Sequence, residues 1–307
     1  MILVIVESPF KCKTISKYLG KDYKVVASIG HIRDLAVGNP DHYLGVEIEN
    51  HFKPIYEINP SKVKTVSSLK KYASSADEVC LATDPDREGE AISFHLAEVL
   101  NLDINSTKRL EFHEITKNAI VNAINNPRII DMNLVHSQET RRIMDRIIGF
   151  DLSHLMQKKI NSLSAGRVQS VVLKMIVDRE KEIKDFKEQI YYLIKGTLTI
   201  DNKEVPVTLL DNDNKEIKFE TQEKTLEVIS ILKEKPIKIE SIETKEMKAH
   251  SYPVYTTSSL LQDASILLKF DSKKTTRIAQ KLYEGIELEK GKGPVGLITY
   301  MRTDSVR

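Results

Sequence analysis

The first 126 residues alternate between short runs of β-branched residues and stretches with helical periodicity. The β-rich runs cover residues 2–6, 24–29 and 78–82, and the helical patterns cover residues 14–18, 63–73 and 90–100. Strands that alternate with helices along a chain are typical of a parallel sheet with helices on its faces. The sequence therefore predicts an N-terminal α/β domain built on a Rossmann-like parallel sheet.

The remainder of the chain shows a different pattern of residues. Apolar residues at spacings of three and four from about 134 to 187 predict helices. From 191 to about 248, β-branched runs separated by "DNK", "DNDNK" and "EKP" predict a strand-rich segment with turns at its corners. Helical patterns return after Tyr252, with Ser258 or Ser259 as candidate N-caps for a helix that ends near Leu268.

Composition excludes several classes of protein. The 307 residues leave room for two or three domains, and 41% hydrophobic with 29% charged residues is typical of a globular chain. The formal net charge of +2 alone names no partner. Cys12 and Cys80 are far apart and form no CxxC pair, which argues against a zinc site or a disulfide framework and favours a reducing, cytoplasmic setting. No segment has membrane-spanning length, and the apolar run at 2–6 is too short for a signal peptide.

Carboxylates follow directly after one predicted strand, in "LATDPDREGEAI" at 81–92. In an open parallel sheet, function collects at the carboxyl ends of strands. If the loop is extended, Asp84, Asp86 and Glu88 project to one side. The first strand ends in Glu7 at the same edge. Because Mg²⁺ prefers a few carboxylate oxygens, the pattern predicts a magnesium site.

A plainer interpretation of the same stretch is a helix N-terminus, where acidic residues interact favourably with the helix dipole. That interpretation accounts for Glu88 and Glu90. It does not account for Asp84 and Asp86, which precede the helix, nor for Glu7 on another strand. We therefore favour the metal site.

Seven strings along the chain resemble, in the same order, those of bacterial topoisomerase I, a type IA DNA topoisomerase. They are "VIVESPFKCKTISKYLG", "SIGHIRDL", "DPDREGEAISFHL", "RLEFHEITKNAI", "RRIMDRIIGFDLS", "LSAGRVQSVVLKMIVDREKEI" and "GLITYMRTDS". The resemblance covers residues 1–307. It implies a TOPRIM domain at 1–127, a helical DNA-binding domain at 128–187, part of a β-rich arch at 188–250 and the start of the nucleophile-bearing domain at 251–307.

The resemblance also implies a reaction. Tyr300 is expected to attack a phosphate of single-stranded DNA, which forms a 5′-phosphotyrosyl link and needs no ATP, so that negative supercoils are relaxed. Glu7 is expected to handle the proton of the leaving 3′-oxygen, and Lys11 and Arg302 to hold the phosphate. Mg²⁺ is expected at Asp84 and Asp86, with Glu7 and Glu88 nearby, chiefly for religation. Any one of eleven tyrosines is by default a packing residue, so the assignment rests on the "GLITYMRTDS" string.

A basic segment follows the predicted TOPRIM domain. Arg142 and Arg146 are four residues apart and share a helix face, and Phe150 can stack on a base. For Lys158 and Lys159 a solvated helix face is an equally good interpretation, and we take His95 and His113 as structural. The resemblance assigns DNA contacts to His31, Arg141, Arg142, Asp145, Arg146, Phe150, Ser164, Ala165, Gly166, Arg167, Val168, Gln169 and Arg302.

Four features depart from the family pattern. The chain has "SPFKCKT" where "SPAKAKT" is usual, Pro85 where a hydrophobic residue is usual, and Phe150 where tyrosine is common. Family members also continue for several hundred residues, whereas this chain stops seven residues after Tyr300. We therefore expect the 307-residue chain alone to bind single-stranded DNA and Mg²⁺ but not to relax plasmid, and to form covalent adduct weakly if at all.

Two other classes of function stay open on the sequence. One is another TOPRIM enzyme, a primase or a nuclease, and the other is a non-catalytic binder of single-stranded DNA. For the topoisomerase interpretation, the expected partner is DNA, with no membrane, no nucleotide cofactor and no oligomer.

Overall fold

The computed structural model describes residues 1–37, 44–161 and 164–302. The chain divides into two compact units. The first comprises Met1–Ser170 with Tyr252–Arg307, and the second comprises Val171–Ser251. The division separates the strand-rich insertion from the rest, whereas the helical segment before it and the C-terminal segment belong largely to the first unit.

A four-stranded parallel sheet forms the centre of the first unit, with the strand order β2-β1-β7-β8. The strands of this region are β1 (Ile2–Val6), β2 (Tyr23–Ala27), β3 (Arg33–Leu35), β4 (Val46–Glu47), β5 (Lys53–Pro54), β6 (Tyr56–Ile58), β7 (Glu78–Ala82) and β8 (Lys108–Arg109). β3 pairs with β6 and β4 with β5 in two small antiparallel sheets. The predicted parallel α/β sheet is confirmed.

The register of the central strands places their carboxyl ends at the same level. Val6 lies opposite Ala27 on one side and opposite Ala82 on the other, so β1, β2 and β7 end at the same edge. Leu3 and Ile5 belong to one hydrophobic core, and Val4 and Val6 belong to a second. The sheet is therefore buried on both faces, as a parallel sheet requires, and its edge forms a rigid base for the loops that follow.

Helices cover both faces of this sheet. They are α1 (Pro9–Leu19), α2 (Val63–Ser74), α3 (Arg87–Val99), α4 (Lys117–Asn125) and α5 (Met132–Ile160), with a 3₁₀ turn at Pro60–Lys62. Side-chain oxygens of Ser8, Asp86, Thr116 and Asp131 cap the starts of α1, α3, α4 and α5. These caps satisfy backbone N–H groups that have no partner within the helix.

The C-terminal part of the first unit packs on one face of the sheet. After α6 (Arg167–Asp185), which crosses into the second unit, the chain returns through α8 (Thr257–Leu268) and α9 (Ser272–Glu284). Tyr283, Tyr300 and Met301 join the core that contains Val4 and Val6. This packing brings the segment with the predicted nucleophile to the sheet.

The N-cap of α8 corrects a sequence-based expectation. Thr256 caps this helix, and its side chain and that of Ser259 form a reciprocal capping box. The helix therefore begins at Thr257, before both Ser258 and Ser259, because the hydroxyl of Thr256 reaches the backbone N–H of Ser259.

The second unit contains an antiparallel hairpin, β9 (Lys195–Ile200) and β10 (Lys203–Thr208), and a helix, α7 (Gln222–Glu234). Asp201 and Asn202 form the two-residue turn, both with positive φ, as a type I′ turn requires. Besides the strands expected in this strand-rich segment, the structure has the helix α7, which Thr221 caps. Within the described residues, no helix is both long and apolar enough to span a bilayer.

Candidate active site

The acidic motif lies between the end of β7 and the start of α3. Asp86 is the N-cap of α3, and its carboxylate accepts the backbone N–H of Gly89 at 2.8 Å. Gly89 has no substitute here, because a Cβ at this position would lie 2.2 Å from the carbonyl oxygen of Asp84. The helix therefore turns tightly against the end of the strand.

This cap overturns the expected geometry of Glu88. The helix begins at Arg87, so Asp84, Asp86 and Glu88 are not three residues of one extended loop. Glu88 instead accepts a hydrogen bond from Gln138 at 3.1 Å and lies 3.5 Å from the imidazole of His31. The bond from His31 is the largest cause that lowers the pKa of Glu88 to about 2.

Lys11 lies beneath the acidic loop. It comes from the first turn of α1, its side chain is 1% exposed, and its ammonium group pairs with the carboxylate of Asp84. The same ammonium lies 5.2 Å from the centre of the Tyr283 ring. The cation is therefore fixed between a carboxylate and an aromatic face, and it neutralises part of the acidic charge.

Glu7 follows β1 at the same edge. Burial raises its pKa to about 7, and the negative charges of Asp84 and Asp86 add to this effect while Lys11 opposes it. A carboxyl group with a pKa near neutrality can both donate and accept a proton at physiological pH. This is the property that the expected role of Glu7 requires.

Tyr300 reaches the acidic loop from the C-terminal segment. Its backbone N–H donates to the carbonyl of His113 at 2.7 Å, and its hydroxyl donates to Oδ2 of Asp86 at 2.6 Å. Burial raises the pKa of the Tyr300 phenol, and the charge of Asp84 and the bond to Asp86 raise it further. Arg302 lies 3.3 Å from the same oxygen of Asp86. The predicted nucleophile and its predicted cation thus converge on one carboxylate.

A cavity of about 480 Å³ opens between these groups and α9. Its lining residues are Glu7, Asp84, Asp86, Glu88, Ser272, Lys273, Thr276, Arg277, Gln280 and Arg302. Four carboxylates line this cavity, and carboxylate oxygens are the hard donors that Mg²⁺ prefers. Burial is the largest cause of the raised pKa of Glu7, and the charges of Asp84 and Asp86 raise it further. Across the described ranges, no three His, Cys, Asp or Glu side chains are close enough to hold an ion together. The donors therefore fit Mg²⁺ held by one or two carboxylates and water.

A buried ionic network that the sequence analysis did not predict supports the acidic loop. Arg109 is fully buried and donates to the carbonyl oxygens of Thr83 at 3.0 Å and Asp84 at 2.8 Å. Its Nε contacts Glu90 at 3.1 Å, and Glu90 also accepts two bonds from Arg128, at 2.6 and 2.7 Å. Glu90 is therefore a structural residue at the core of the fold, rather than an exposed acid at a helix end.

The same network reaches the helical segment. Glu90 accepts the backbone N–H of Asp131 at 2.7 Å, and Asp131 is the N-cap of α5. The loop with Asp84 and the start of α5 are consequently tied to a single buried carboxylate. Only the string "RLEFHEIT", which contains Arg109, offered a signal for this network.

A second cavity, of about 330 Å³, lies beside the first, and Glu88 lines both. Its other lining residues include His31, Arg141, Arg142 and Asp145 from the expected DNA-contacting set. Arg142 forms two bonds with Asp34, at 2.8 and 2.5 Å, and Arg141 lies 3.8 Å from Asp145. The structure thus brings these four residues together next to the acidic cavity.

Arg146 differs from its neighbours on α5. It is 7% exposed, and its guanidinium donates to the carbonyl oxygens of Leu35, Ala36 and Leu44 at 3.2 to 3.3 Å. Its expected DNA contact stays a prediction, and in this structure its guanidinium already donates to three carbonyl oxygens. Arg146 therefore holds α5 against the segment after β3.

The other expected DNA-contacting residues lie further along the first unit. The exposed ring of Phe150 is 5.5 Å from the Arg146 guanidinium. The N–H of Ala165 bonds to the hydroxyl of Ser153 at 3.0 Å, and Arg167 forms two bonds with Asp145, at 2.8 and 3.1 Å. Ser164 and Gly166 precede α6, and Val168 and Gln169 lie in its exposed first turn. Their DNA contacts stay predictions.

Comparison with known proteins decides the family. The Toprim domain profile matches residues 2–115, and the profile described as DNA topoisomerase matches residues 129–307. The chain belongs to the bacterial type IA DNA topoisomerase family. It is similar to the structure of full-length topoisomerase I from Thermotoga maritima, with 40% sequence identity and a TM-score of 0.80. The match covers 99% of this chain and 49% of the Thermotoga chain, so this chain spans about half the length of that family member.

Proposed function

We propose that this chain carries the cleavage site of a type IA DNA topoisomerase, which breaks and rejoins single-stranded DNA through a phosphotyrosyl intermediate. The observation that carries the proposal is the 2.6 Å hydrogen bond from the Tyr300 hydroxyl to Asp86, next to Glu7, Lys11 and Arg302. This contact supports the proposal, because a tyrosine hydroxyl, carboxylates and cations lie close together as nucleophilic catalysis on a phosphate requires.

In the cleavage step, the Tyr300 oxygen forms a bond to phosphorus while the bond from phosphorus to the 3′-oxygen breaks. The phenolic proton passes to Asp86, which already accepts it as a hydrogen bond. Glu7, whose pKa is raised to about 7, gives a proton to the leaving 3′-oxygen. Arg302 donates to the non-bridging oxygens, where negative charge grows in the transition state. Rejoining reverses each transfer, so the bond energy is kept and no ATP is required.

The acidic residues have a second role in this proposal. Asp84 and Asp86, with Glu7 and Glu88 on the same cavity wall, would hold Mg²⁺. When bound, the ion supplies positive charge that orients and polarises the phosphate during religation. Lys11, already paired with Asp84, limits the charge repulsion among the carboxylates before any cation arrives.

We infer that a single strand runs from the acidic cavity into the second cavity beside α5. Arg141 and Arg142 would contact its phosphates, and His31, between the two cavities, would lie near the reacting phosphate. The exposed ring of Phe150 would stack on a base further along. Relaxation of supercoiled DNA by a protein that contains this chain, and a cytoplasmic setting, belong to the same proposal.

Two alternatives make different predictions. Another TOPRIM enzyme, a primase or nuclease, would use the acids but leave no protein on its product. A non-catalytic binder of single-stranded DNA would not cleave at all. The contact between Tyr300 and Asp86 favours the topoisomerase, because neither alternative needs a tyrosine at the acidic loop.

The polarity of cleavage tests the proposal. The chain is incubated with an oligonucleotide that carries one dye at its 5′ end and another at its 3′ end, and the reaction is stopped with detergent. The proposal expects only the 3′-side dye to migrate with the protein, because Tyr300 is joined to a 5′-phosphate. Free fragments of both colours would favour a nuclease, and uncut DNA that is retained only under native conditions would favour the binder.

A further inference from the structure

Helix α9 presents a polar face to the acidic cavity. Lys273, Thr276, Arg277 and Gln280 recur at spacings of three and four, and they line the same cavity as the carboxylates. The other face of α9 packs into the core through Thr275, Ala279 and Tyr283, which are all buried. Burial of that face fixes the rotation of the helix, so the polar face is held towards the site.

Two cations on this face are free to bind an anion. Thr276 already donates to the carbonyl of Ser272 at 2.8 Å, and Gln280 donates to Glu284 at 2.8 Å. Lys273 and Arg277 are exposed, and within the described ranges neither has a carboxylate at ion-pairing distance. By contrast, Arg302 on the same cavity is paired with Asp86. The unpaired positive charge of the cavity therefore lies on α9.

We propose that Lys273 and Arg277 bind the phosphate backbone of the DNA strand beside the phosphate that Tyr300 attacks. This inference rests on the proposed function and assigns a wall of the substrate site to residues that the family strings did not single out. Residues four apart on a helix are separated by about 6 Å along its axis, so the two cations can contact different phosphates. Arg277 offers a planar fork of donors and Lys273 a flexible point charge, and phosphate oxygens accept both.

A different role for the same residues is to offset the charge of the four carboxylates without touching DNA. The two roles differ in the salt dependence of binding. A cation that contacts a phosphate displaces a counterion from the DNA, and each such contact on a single strand contributes about 0.7 to the slope of log K against log salt. A cation that only balances the carboxylates changes affinity for Mg²⁺ but leaves that slope unchanged.

The test measures binding of a labelled single-stranded oligonucleotide to the 307-residue chain by fluorescence anisotropy at several salt concentrations, with EDTA present. The parent is compared with the double variant Lys273→Ala/Arg277→Ala and with Lys281→Ala. Lys281 is a matched control, because it is an exposed lysine of α9 that does not line the cavity. Melting temperatures of all three proteins show that the fold is kept, and two-colour cleavage is measured in parallel.

We expect the double variant to reduce the magnitude of the salt slope by about 1.4, the value for two lost phosphate contacts, and the Lys281→Ala slope to equal that of the parent. Equal slopes for the parent and the double variant, with DNA bound and covalent adduct formed, would overturn this inference and leave the proposed function intact. A loss in Lys281→Ala of half that in the double variant, or more, would overturn it too, since the slope would then follow only the number of charges removed from α9. Absence of both DNA binding and adduct in the parent would remove the proposed function and this inference together.

Discussion

The hydroxyl of Tyr300 donates a 2.6 Å hydrogen bond to the carboxylate of Asp86, although 214 residues separate them in sequence. Asp86 also caps α3, so its position is fixed by the helix that follows β7. Tyr300 is fixed by its backbone bond to His113 and by an edge-on contact with Tyr283, whose ring centre lies 5.2 Å away. The proposed cleavage reaction depends on this contact and on the groups around it.

The magnesium site predicts a thermal shift. A ligand that binds only the folded chain stabilises it by about 2.7 kcal/mol when the free ligand concentration is one hundred times the dissociation constant. Titration of Mg²⁺ should therefore raise the melting temperature of the parent but not of Asp84→Ala/Asp86→Ala. Asp178→Ala serves as a control, because Asp178 is an acid of α6 that pairs with Lys174 and does not line the acidic cavity. A parent melting temperature that does not change across the titration would count against the site.

Substitution of Arg109 is predicted to lower both the stability of the fold and the formation of covalent adduct. Removal of one partner from a buried ion pair leaves the other uncompensated and costs about 3 to 5 kcal/mol. Urea unfolding of Arg109→Leu should show a loss near the lower end of this range, because two loop carbonyls would lose their donor while Glu90 keeps its bonds from Arg128.

Arg109→Lys separates the two roles of this residue. Lysine keeps the charge but cannot reach Glu90, Thr83 and Asp84 together, so the stability of this variant should be partly restored while adduct formation stays low. Full adduct formation by Arg109→Lys would show that the bonds to the loop carbonyls do not position the site.

The arginines of α5 are predicted to behave differently. Arg141 is 41% exposed, and Arg141→Ala should reduce the single-strand salt slope by about 0.7, the value of one phosphate contact. Arg146→Ala should instead lower the free energy of unfolding, since its donors hold the carbonyl oxygens of Leu35, Ala36 and Leu44. If Arg146→Ala reduced the salt slope of single-strand binding and left stability unchanged, Arg146 would be a DNA-contacting residue and not a structural one.

His95 predicts a dependence of stability on pH. Burial lowers its pKa to about 3 from the usual 6.5, and the positive charges of Arg33 and His31 add to this effect while Asp34 opposes it. Its Nδ1 accepts the Arg33 guanidinium at 2.7 Å, which requires a neutral ring. Between pH 6.5 and pH 3 the unfolded state binds a proton that the folded state does not, so stability is lost as pH falls through this window.

The size of this effect is about 1.4 kcal/mol for each pH unit at most. His95→Asn keeps an acceptor for Arg33 and removes the titration. Urea unfolding at pH 7 and pH 5 should therefore show a smaller loss for this variant than for the parent. If the free energy of unfolding fell equally with pH in both proteins, His95 would not contribute to the pH dependence of stability.

The bounds of β1 and β7 could be predicted from sequence, because strands buried on both faces are short apolar runs that end abruptly at Glu7 and before Asp84. The helix α7 could not, since its valine and isoleucines suit a strand equally well. The start of α3 at Arg87 could not be predicted either, because it depends on the hydrogen bond from the Gly89 N–H to the Asp86 side chain. This start places Glu88 in the helix, whereas Asp84 and Asp86 precede it.

The other features that could not be predicted from the sequence depend on contacts between residues that are far apart along the chain. Arg146 has the sequence pattern of a solvated helix face, and its carbonyl acceptors lie more than one hundred residues earlier. Glu90 and Arg109 likewise belong to different elements, α3 and β8, and their contact forms only in the folded chain. By contrast, Tyr300, Glu7, Lys11 and Asp84 were assigned from strings that resemble a known family, and the structure brings them to one edge of the sheet.

The identity of the nucleophile is tested most directly by the covalent adduct itself. The 307-residue chain, Tyr300→Phe and Tyr283→Phe are each incubated with an oligonucleotide labelled at its 3′ end, denatured, and resolved by gel electrophoresis. Tyr283 is a matched control, because it is a buried tyrosine beside Tyr300 whose hydroxyl is 3.5 Å from the carbonyl of Phe112. We predict labelled protein at low yield for the parent and for Tyr283→Phe, and none for Tyr300→Phe. Labelled protein that persists in Tyr300→Phe would contradict the account.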